Sequence, residues 1–312
     1  MTGNGIVSIG ECMLELSGRV NQNGGGEDWR MGFAGDTLNT LWALRALTGT
    51  ERTANYVSAF GDDPFSRDQI AFFAAHGIGV AASPRIPGAR PGLYAITLTG
   101  AERAFTYWRA DSAARSLADA PDALAKSLEN RALVYLSGIT LAILTPTART
   151  TLLKKVAEAR GRGSLVAFDP NYRPRLWPDI PTARAAMDAA LAITDIALPT
   201  FPDEQALYGD ASPEATADRI GAAGVGEIVV QNGEAAALVR QAGASRTVPA
   251  VTVDAVDTTG AGDSFNGSYL AARLAGHDAV DAAARAHRVA GAVVQVRGAL
   301  APFEVLRSAF TG

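Results

Sequence analysis

The chain has 312 residues, 48% of them hydrophobic and 19% charged, which is enough apolar side chain to bury a large core. A formal net charge of -4, with no block of Lys or Arg, argues against nucleic acid or an anionic membrane surface as a general partner. The single Cys12 excludes an internal disulfide, and Cys12, His76, His277 and His287 are scattered without the spacing of a metal site.

The first residues, MTGNGIVSIGE, carry no secretory-signal pattern, and no apolar run approaches membrane-spanning length, so a cytoplasmic location is expected. In chain order, 5 to 11 reads as strand, 36 to 47 as helix, 55 to 61 as strand, 67 to 77 as helix and 132 to 138 as strand. A helix at 147 to 161, a strand at 164 to 171, a helix at 182 to 193, and strands at 195 to 201 and 227 to 233 follow. This alternation predicts a mostly parallel sheet with helices on both faces. The strands end in Gly10-Glu11, Gly61-Asp62-Asp63, Ser137-Gly138, Asp169-Pro170-Asn171, Thr200 and Asn232-Gly233, an organised rim of the kind that binds ligands in α/β sheets. Two segments break the rhythm, 12 to 33 and 91 to 110. They read as antiparallel strands, with a turn at 24 to 27 and a hairpin about Gly100, and together predict a small β lid over the rim. Exposed strand edges on such a lid predict a homodimer or higher homo-oligomer.

Residues 257 to 276, DTTGAGDSFNGSYLAARLAG, place Gly260, Ala261 and Gly262 directly before Asp263. Phe265, Tyr269 and Ala272 then recur at helical spacing, and Gly276 stands where a helix would stop. The small residues mark a helix N-terminus, where unpaired N–H groups and the helix dipole favour an anion. Asp263 is then either the N-cap or a catalytic carboxylate, and the stretch alone leaves both open. The lysines, Lys126, Lys154 and Lys155, follow no Gly-rich loop, so a Walker-type phosphate loop and a protein-kinase lysine are absent. Phosphate would have to be met by backbone N–H groups, Arg and a divalent cation.

With its companions, DTTGAGDSFNGS resembles the signature of the PfkB family of ribokinase-like carbohydrate kinases. The companions are GECMLEL near the start, FAGDTLNT at 33 to 40, the hairpin ending FTYWR, FDPNYRPRLW at 168 to 177, PTFPDE at 199 to 204 and the late VAGAVVQVRGA, so the resemblance spans nearly the full chain. It implies a ribokinase-like, Rossmann-type three-layer α/β sandwich with a mostly parallel sheet. It also implies one kinase domain over 1 to 312, a lid from about 12 to 33 and 91 to 110, sugar beneath the lid, and ATP with Mg²⁺ along the rim.

The resemblance further implies roles. Amides of Gly260, Ala261, Gly262 and Asp263 would form an anion hole for the transferred phosphoryl group, and Asp263 would take the proton of the attacking hydroxyl. The helix terminus is expected to lower the pKa of Asp263. Gly35, Asp36 and Asn39 would meet the sugar from the main domain, Tyr94, Tyr107 and Arg109 from the lid, and Arg173 from DPNYR. The residues themselves also allow Asp36 as an N-cap, Tyr94 with Tyr107 as a cross-strand packing pair, and Arg173 as a surface ion-pair partner. Asn171, Thr200, Glu204, the turn from Gln231 to Gly233, His287 and Gly298 would serve the nucleotide. The chain has Phe201 where many relatives carry Asn, while Glu204 is kept and is expected to order water around Mg²⁺ rather than ligate it. Gln231 stands where relatives often have Lys, which leaves charge neutralisation to Mg²⁺ and the anion hole. Asp257 and Thr259 mark a place for a monovalent cation.

Within the family, GECMLEL, GDTLNT, SGITLA and PTFPDE look most like the bacterial branch acting on 2-keto-3-deoxygluconate. That substrate carries a carboxylate and calls for a guanidinium, with Arg109 and Arg173 as candidates. Fructokinase-like relatives share the aromatic-x-Arg hairpin and the DPN-x-R segment, so a neutral ketohexose is the alternative substrate. A binding or regulatory protein that kept the fold without the chemistry is the alternative from another class.

Overall fold

Successive residues of a strand face opposite ways, and here both faces are apolar. Along β1 (Gly5–Ile9), Ile6 enters one core while Val7 and Ile9 enter the other; along β8 (Arg131–Ser137), Leu133 and Tyr135 alternate with Val134 and Leu136 in the same way. A sheet buried on both sides needs a helical layer on each, and the computed structural model, which describes residues 3–21, 27–99 and 102–312, has that three-layer arrangement.

The remaining strands are β2 (Met13–Asn21), β3 (Glu27–Ala34), β4 (Ala54–Val57), β5 (Ile78–Gly79), β6 (Leu93–Thr99), β7 (Glu102–Trp108), β9 (Leu165–Asp169), β10 (Ile196–Ala197), β11 (Glu227–Val230), β12 (Ala237–Gln241) and β13 (Ala244–Val248). The large sheet runs β13-β12-β11-β10-β9-β8-β1-β4-β5. Every pairing from β11 to β5 is parallel, as the alternation predicts, whereas β12 and β13 form an antiparallel edge that the reading by periodicity leaves out. Their connection is a two-residue turn with Ala242 and Gly243 both at positive φ, 50° and 79°, and an Ala in that position gives no turn signal.

One face is covered by the helices Asp36–Leu47, Ala261–Leu274, Ala279–Val293 and Phe303–Thr311, and the other by Pro146–Gly161, Ile180–Leu191 and Pro213–Ala222. The helices of the second face start on side-chain caps followed by Pro, with Thr145, Asp179 and Ser212 each accepting a backbone N–H.

The second sheet is the lid, ordered β3-β2-β6-β7. Its outer pairs are antiparallel, and its central pair, β2 with β6, is parallel. Met13, Ala34 and Tyr94 of the lid pack on Ala299 of the main body. The turn expected at 24 to 27, apart from Glu27, and the hairpin tip at Gly100 lie outside the described residues.

Candidate functional site

The helix Ala261–Leu274 begins on Gly260, whose φ of 76° is left-handed, and a Cβ there would lie 2.9 Å from Ala299 Cβ. Asp263 therefore stands in the first turn rather than at the cap, and its carboxylate does not cap the helix. The Ala261 N–H turns toward the Thr258 carbonyl at 3.3 Å. Of the four amides expected to form an anion hole, that of Ala261 is thus turned toward the protein, that of Gly260 belongs to the cap residue, and those of Gly262 and Asp263 lie in the first turn.

Asp263 Oδ2 accepts a hydrogen bond from Asn39 Nδ2 at 2.8 Å. Asn39 belongs to the helix Asp36–Leu47, and the two helices cross closely because Gly267 has no side chain: a Cβ there would lie 2.3 Å from the Thr40 carbonyl oxygen. The Asp263 pKa is raised to about 7, chiefly by burial and then by the Asp36 carboxylate, with the Asn39 hydrogen bond and Arg173 opposing. The expectation of a lowered value is overturned, because loss of water and a like charge outweigh the helix terminus.

Asp36 is the first residue of its helix; the cap is Gly35, without a side-chain bond. The Asp36 carboxylate instead faces across the rim, accepting from Ser137 Oγ at 2.5 Å and Asn171 Nδ2 at 2.9 Å. Gly35 is required by close approach, since a Cβ would lie 2.2 Å from the Glu11 carbonyl oxygen. Asn171, expected on the nucleotide side, has φ 37° and donates its side-chain amide to Asp36, which was expected on the sugar side, while its N–H donates to Asp169 Oδ1 at 3.0 Å. Asp169 is buried, and burial together with Asp263 and Asp36 holds its carboxyl well above the usual range.

Asn266 escapes motif reading yet sits at the centre of this network. Its Nδ2 donates to Asp169 Oδ2 at 2.9 Å, and its Oδ1 accepts from Gln231 Nε2 at 2.9 Å. Its place three residues after Asp263 was the available signal, since i and i+3 share a helix face. The Gln231 side-chain amide is therefore engaged inside the rim, bracing the end of β11 against the helix that carries Asp263.

The lid contributes Tyr94, opposite Tyr107 in register with ring centroids 5.7 Å apart, so the two form the cross-strand pair. Tyr94 is buried and its hydroxyl donates to Glu15, whereas Tyr107 is half exposed. Arg109 lies 6.0 Å from the Tyr107 ring centroid and is ion-paired with buried Glu11. Arg173 pairs with Asp203 at 2.8 Å; burial opposes its charge, but Asp203, Asp169 and Asp36 raise its pKa.

Among the residues expected to serve the nucleotide, Thr200 begins the helix Phe201–Tyr208 without a side-chain cap bond and bridges to Gln231. Glu204, in that first turn, is fully buried, with Oε2 accepting from Arg219 Nη2 at 2.6 Å and Oε1 without a hydrogen-bond partner. Arg219 is held in turn by Asp210 at 2.8 Å and stacks 3.7 Å from the Tyr208 ring centroid, a clasp that no motif announces. The Glu204 pKa is raised to about 7 by burial, against Arg219. Gly233 takes a positive φ of 59° in its turn. His287 is buried against Phe265, ring centroids 5.0 Å apart, with Nε2 unpartnered. Asp257 accepts from the N–H groups of Thr259 and Gly298, both at 2.9 Å, so the residues expected at a cation site and at the adenine share one loop. Among the described residues no group of three or more His, Cys, Asp and Glu is placed to hold a metal ion, and the unpartnered Glu204 Oε1 is the buried acceptor that a hydrated divalent cation would answer.

The family profile described as pfkB family carbohydrate kinase matches residues 4–306. A 2-dehydro-3-deoxygluconokinase of Dickeya dadantii is 42% identical over 98% of this chain and 99% of its own, and the Escherichia coli enzyme of that name is 42% identical over 96% and 98%. The crystal structure of a putative ribokinase II from E. coli in complex with ATP and Mg²⁺ shares the fold, with a TM-score of 0.85 at 24% identity over 99% of both chains. No described helix is long and apolar enough to cross a membrane.

Proposed function

Because the chain belongs to the pfkB family of carbohydrate kinases, we propose that it transfers the terminal phosphoryl group of ATP to the 6-hydroxyl of 2-keto-3-deoxy-D-gluconate, also called 2-dehydro-3-deoxygluconate. The observation that carries the reading is the Asp263 carboxylate, held by Asn39 in the open first turn of a helix and raised to about 7. A base with that pKa is about half ionised at neutral pH and strong enough to draw a hydroxyl proton late in the transfer.

In the proposed step, the sugar oxygen forms a bond to the terminal phosphorus while the bond to the bridging oxygen of ADP breaks. Asp263 receives the hydroxyl proton, and the Gly262 and Asp263 amides face the charge of the transferred group. Mg²⁺ supplies neutralisation of the phosphate charge when bound, and Glu204 Oε1 would orient its water shell. Asn39 and Asp36 position Asp263 and the sugar, and the lid residues Tyr94, Tyr107 and Arg109 close over it. A monovalent cation at the Asp257 and Thr259 loop, and a homodimer through the lid edge, belong to the same proposal.

The pairing of Arg109 with Glu11 favours a second reading, a neutral ketohexose such as fructose, because Arg109 brings no net charge to the cleft. The two readings separate in a coupled ADP-release assay with MgATP on 2-keto-3-deoxygluconate, fructose, ribose and gluconate. The expected result is a kcat/KM higher by several orders of magnitude on the keto-deoxy acid. Preference for fructose would overturn the substrate while keeping Asp263.

A further inference from the structure

Glu11 leaves the large sheet just beyond β1, and Arg109 leaves the lid directly after β7. Arg109 Nε donates to Glu11 Oε2 at 2.8 Å, and Nη2 donates to the same oxygen. Glu11 is 2% exposed, and its Oε1 is buried without a hydrogen-bond partner. The Nη1 edge of Arg109 has no hydrogen-bond partner among the described residues. Gly92 makes room for the pair: a Cβ there would lie 2.6 Å from Glu11 Oε1 and 3.1 Å from Arg109 Cβ.

Two physical consequences follow. The planar guanidinium is fixed along one edge, so its remaining N–H groups keep one direction. The pair also sums to zero charge, and neither member would remain buried at low cost without the other.

We infer that Glu11 is a specificity-determining residue of the sugar cleft, orienting the Nη1 edge of Arg109 toward substrate and cancelling its charge, so that a sugar acid is met by directed hydrogen bonds rather than by a net cation. This rests on the reading of Arg109 as a sugar contact. Compensation by Glu11 sets a ceiling on the preference for the acid over a neutral ketose of the same shape. Removing the carboxylate while keeping an acceptor unmasks the cation and sharpens that preference.

The experiment compares 2-keto-3-deoxygluconate with 3-deoxyfructose, which replaces the carboxylate by a hydroxymethyl group, by calorimetric titration of the full chain. Glu11→Gln is expected to raise the ratio of acid to neutral affinity by about fivefold or more, and Glu11→Asp to leave it within about twofold. Glu11→Ser carries the same expectation as Glu11→Gln should the latter fold poorly by circular dichroism. An equal change for both ligands in the charge-removing variants, no change at all, or a shifted ratio in Glu11→Asp overturns the inference and leaves the substrate reading standing. Wild-type protein that neither binds nor phosphorylates the acid overturns both.

Discussion

Asn39 and Asp263 meet across a helix crossing, Nδ2 to Oδ2 at 2.8 Å, four residues before the point where Gly267 lets the two backbones touch. The hydrogen bond stabilises the ionised carboxylate against burial and the Asp36 charge. Asn39→Leu is expected to move the acid limb of kcat/KM to higher pH, because it removes an interaction that lowers the Asp263 pKa. An unmoved limb would separate Asn39 from the titration of the base.

Asp36 acts in the opposite sense. Replacing it by Asn removes a like charge that raises the Asp263 pKa, so the acid limb of kcat/KM should move to lower pH than in the wild type. Since Ser137 and Asn171 hold Asp36, the variant is also expected to raise the sugar KM. A pH profile with the limb unchanged or moved upward would contradict this electrostatic account.

Asp263→Asn should lower kcat by several orders of magnitude with little change in KM, because the lost interaction belongs to the transition state. The same variant should be more stable than wild type above neutral pH. A carboxyl whose pKa is raised on folding binds its proton more tightly in the native state, so its contribution to stability falls as pH rises from the unfolded value toward about 7. Thermal melts at pH 5 and pH 8.5 check the sign: the gain in Tm should appear at the higher pH.

Gly267→Ala tests the crossing itself. With the Thr40 carbonyl oxygen 2.3 Å from the added Cβ, the helices must part. Overpacking of this kind costs about 1–3 kcal/mol, and kcat should fall as Asn39 withdraws from Asp263. Urea titration and initial rates measure the two effects separately.

Arg219→Met would leave buried Glu204 without its ion-pair partner, and breaking a buried pair from one side costs about 3–5 kcal/mol. The loss should be smaller below neutral pH, where Glu204, with a pKa of about 7, takes up a proton. Denaturant midpoints at pH 5.5 and 8 distinguish this from a simple packing defect.

The parallel sheet, both helical layers and the four-stranded lid follow from periodicity, because both faces of each central strand are apolar and the two lid segments break that pattern together. The rim residues Asp169, Asn171 and Thr200 were visible as polar ends of apolar runs. What they do there was less visible. Asp36 looks like a cap because local geometry is all a short stretch displays, whereas Ser137 and Asn171 reach it from far along the chain. The Asp263 pKa is misread for the same reason: the helix terminus is local, while the burial and the Asp36 charge that outweigh it come from tertiary packing. Asn266, Arg219 and Glu11 act through partners that no spacing rule connects.

The parallel pairing of β2 with β6 bears on how the chain reaches this structure. Between those strands the polypeptide must leave the lid, lay down the helix Asp36–Leu47, β4, the helix Pro64–Ala75 and β5, and then return. The lid thus closes a long loop, whose ordering entropy is repaid only once that excursion is docked on β1. During synthesis the first hairpin waits for its neighbour until the sixth strand has emerged. In refolding, Trp29 and Trp108 in the lid would report a slower event than Trp42 and Trp177 in the main body, so the sugar cleft acquires its roof after its floor.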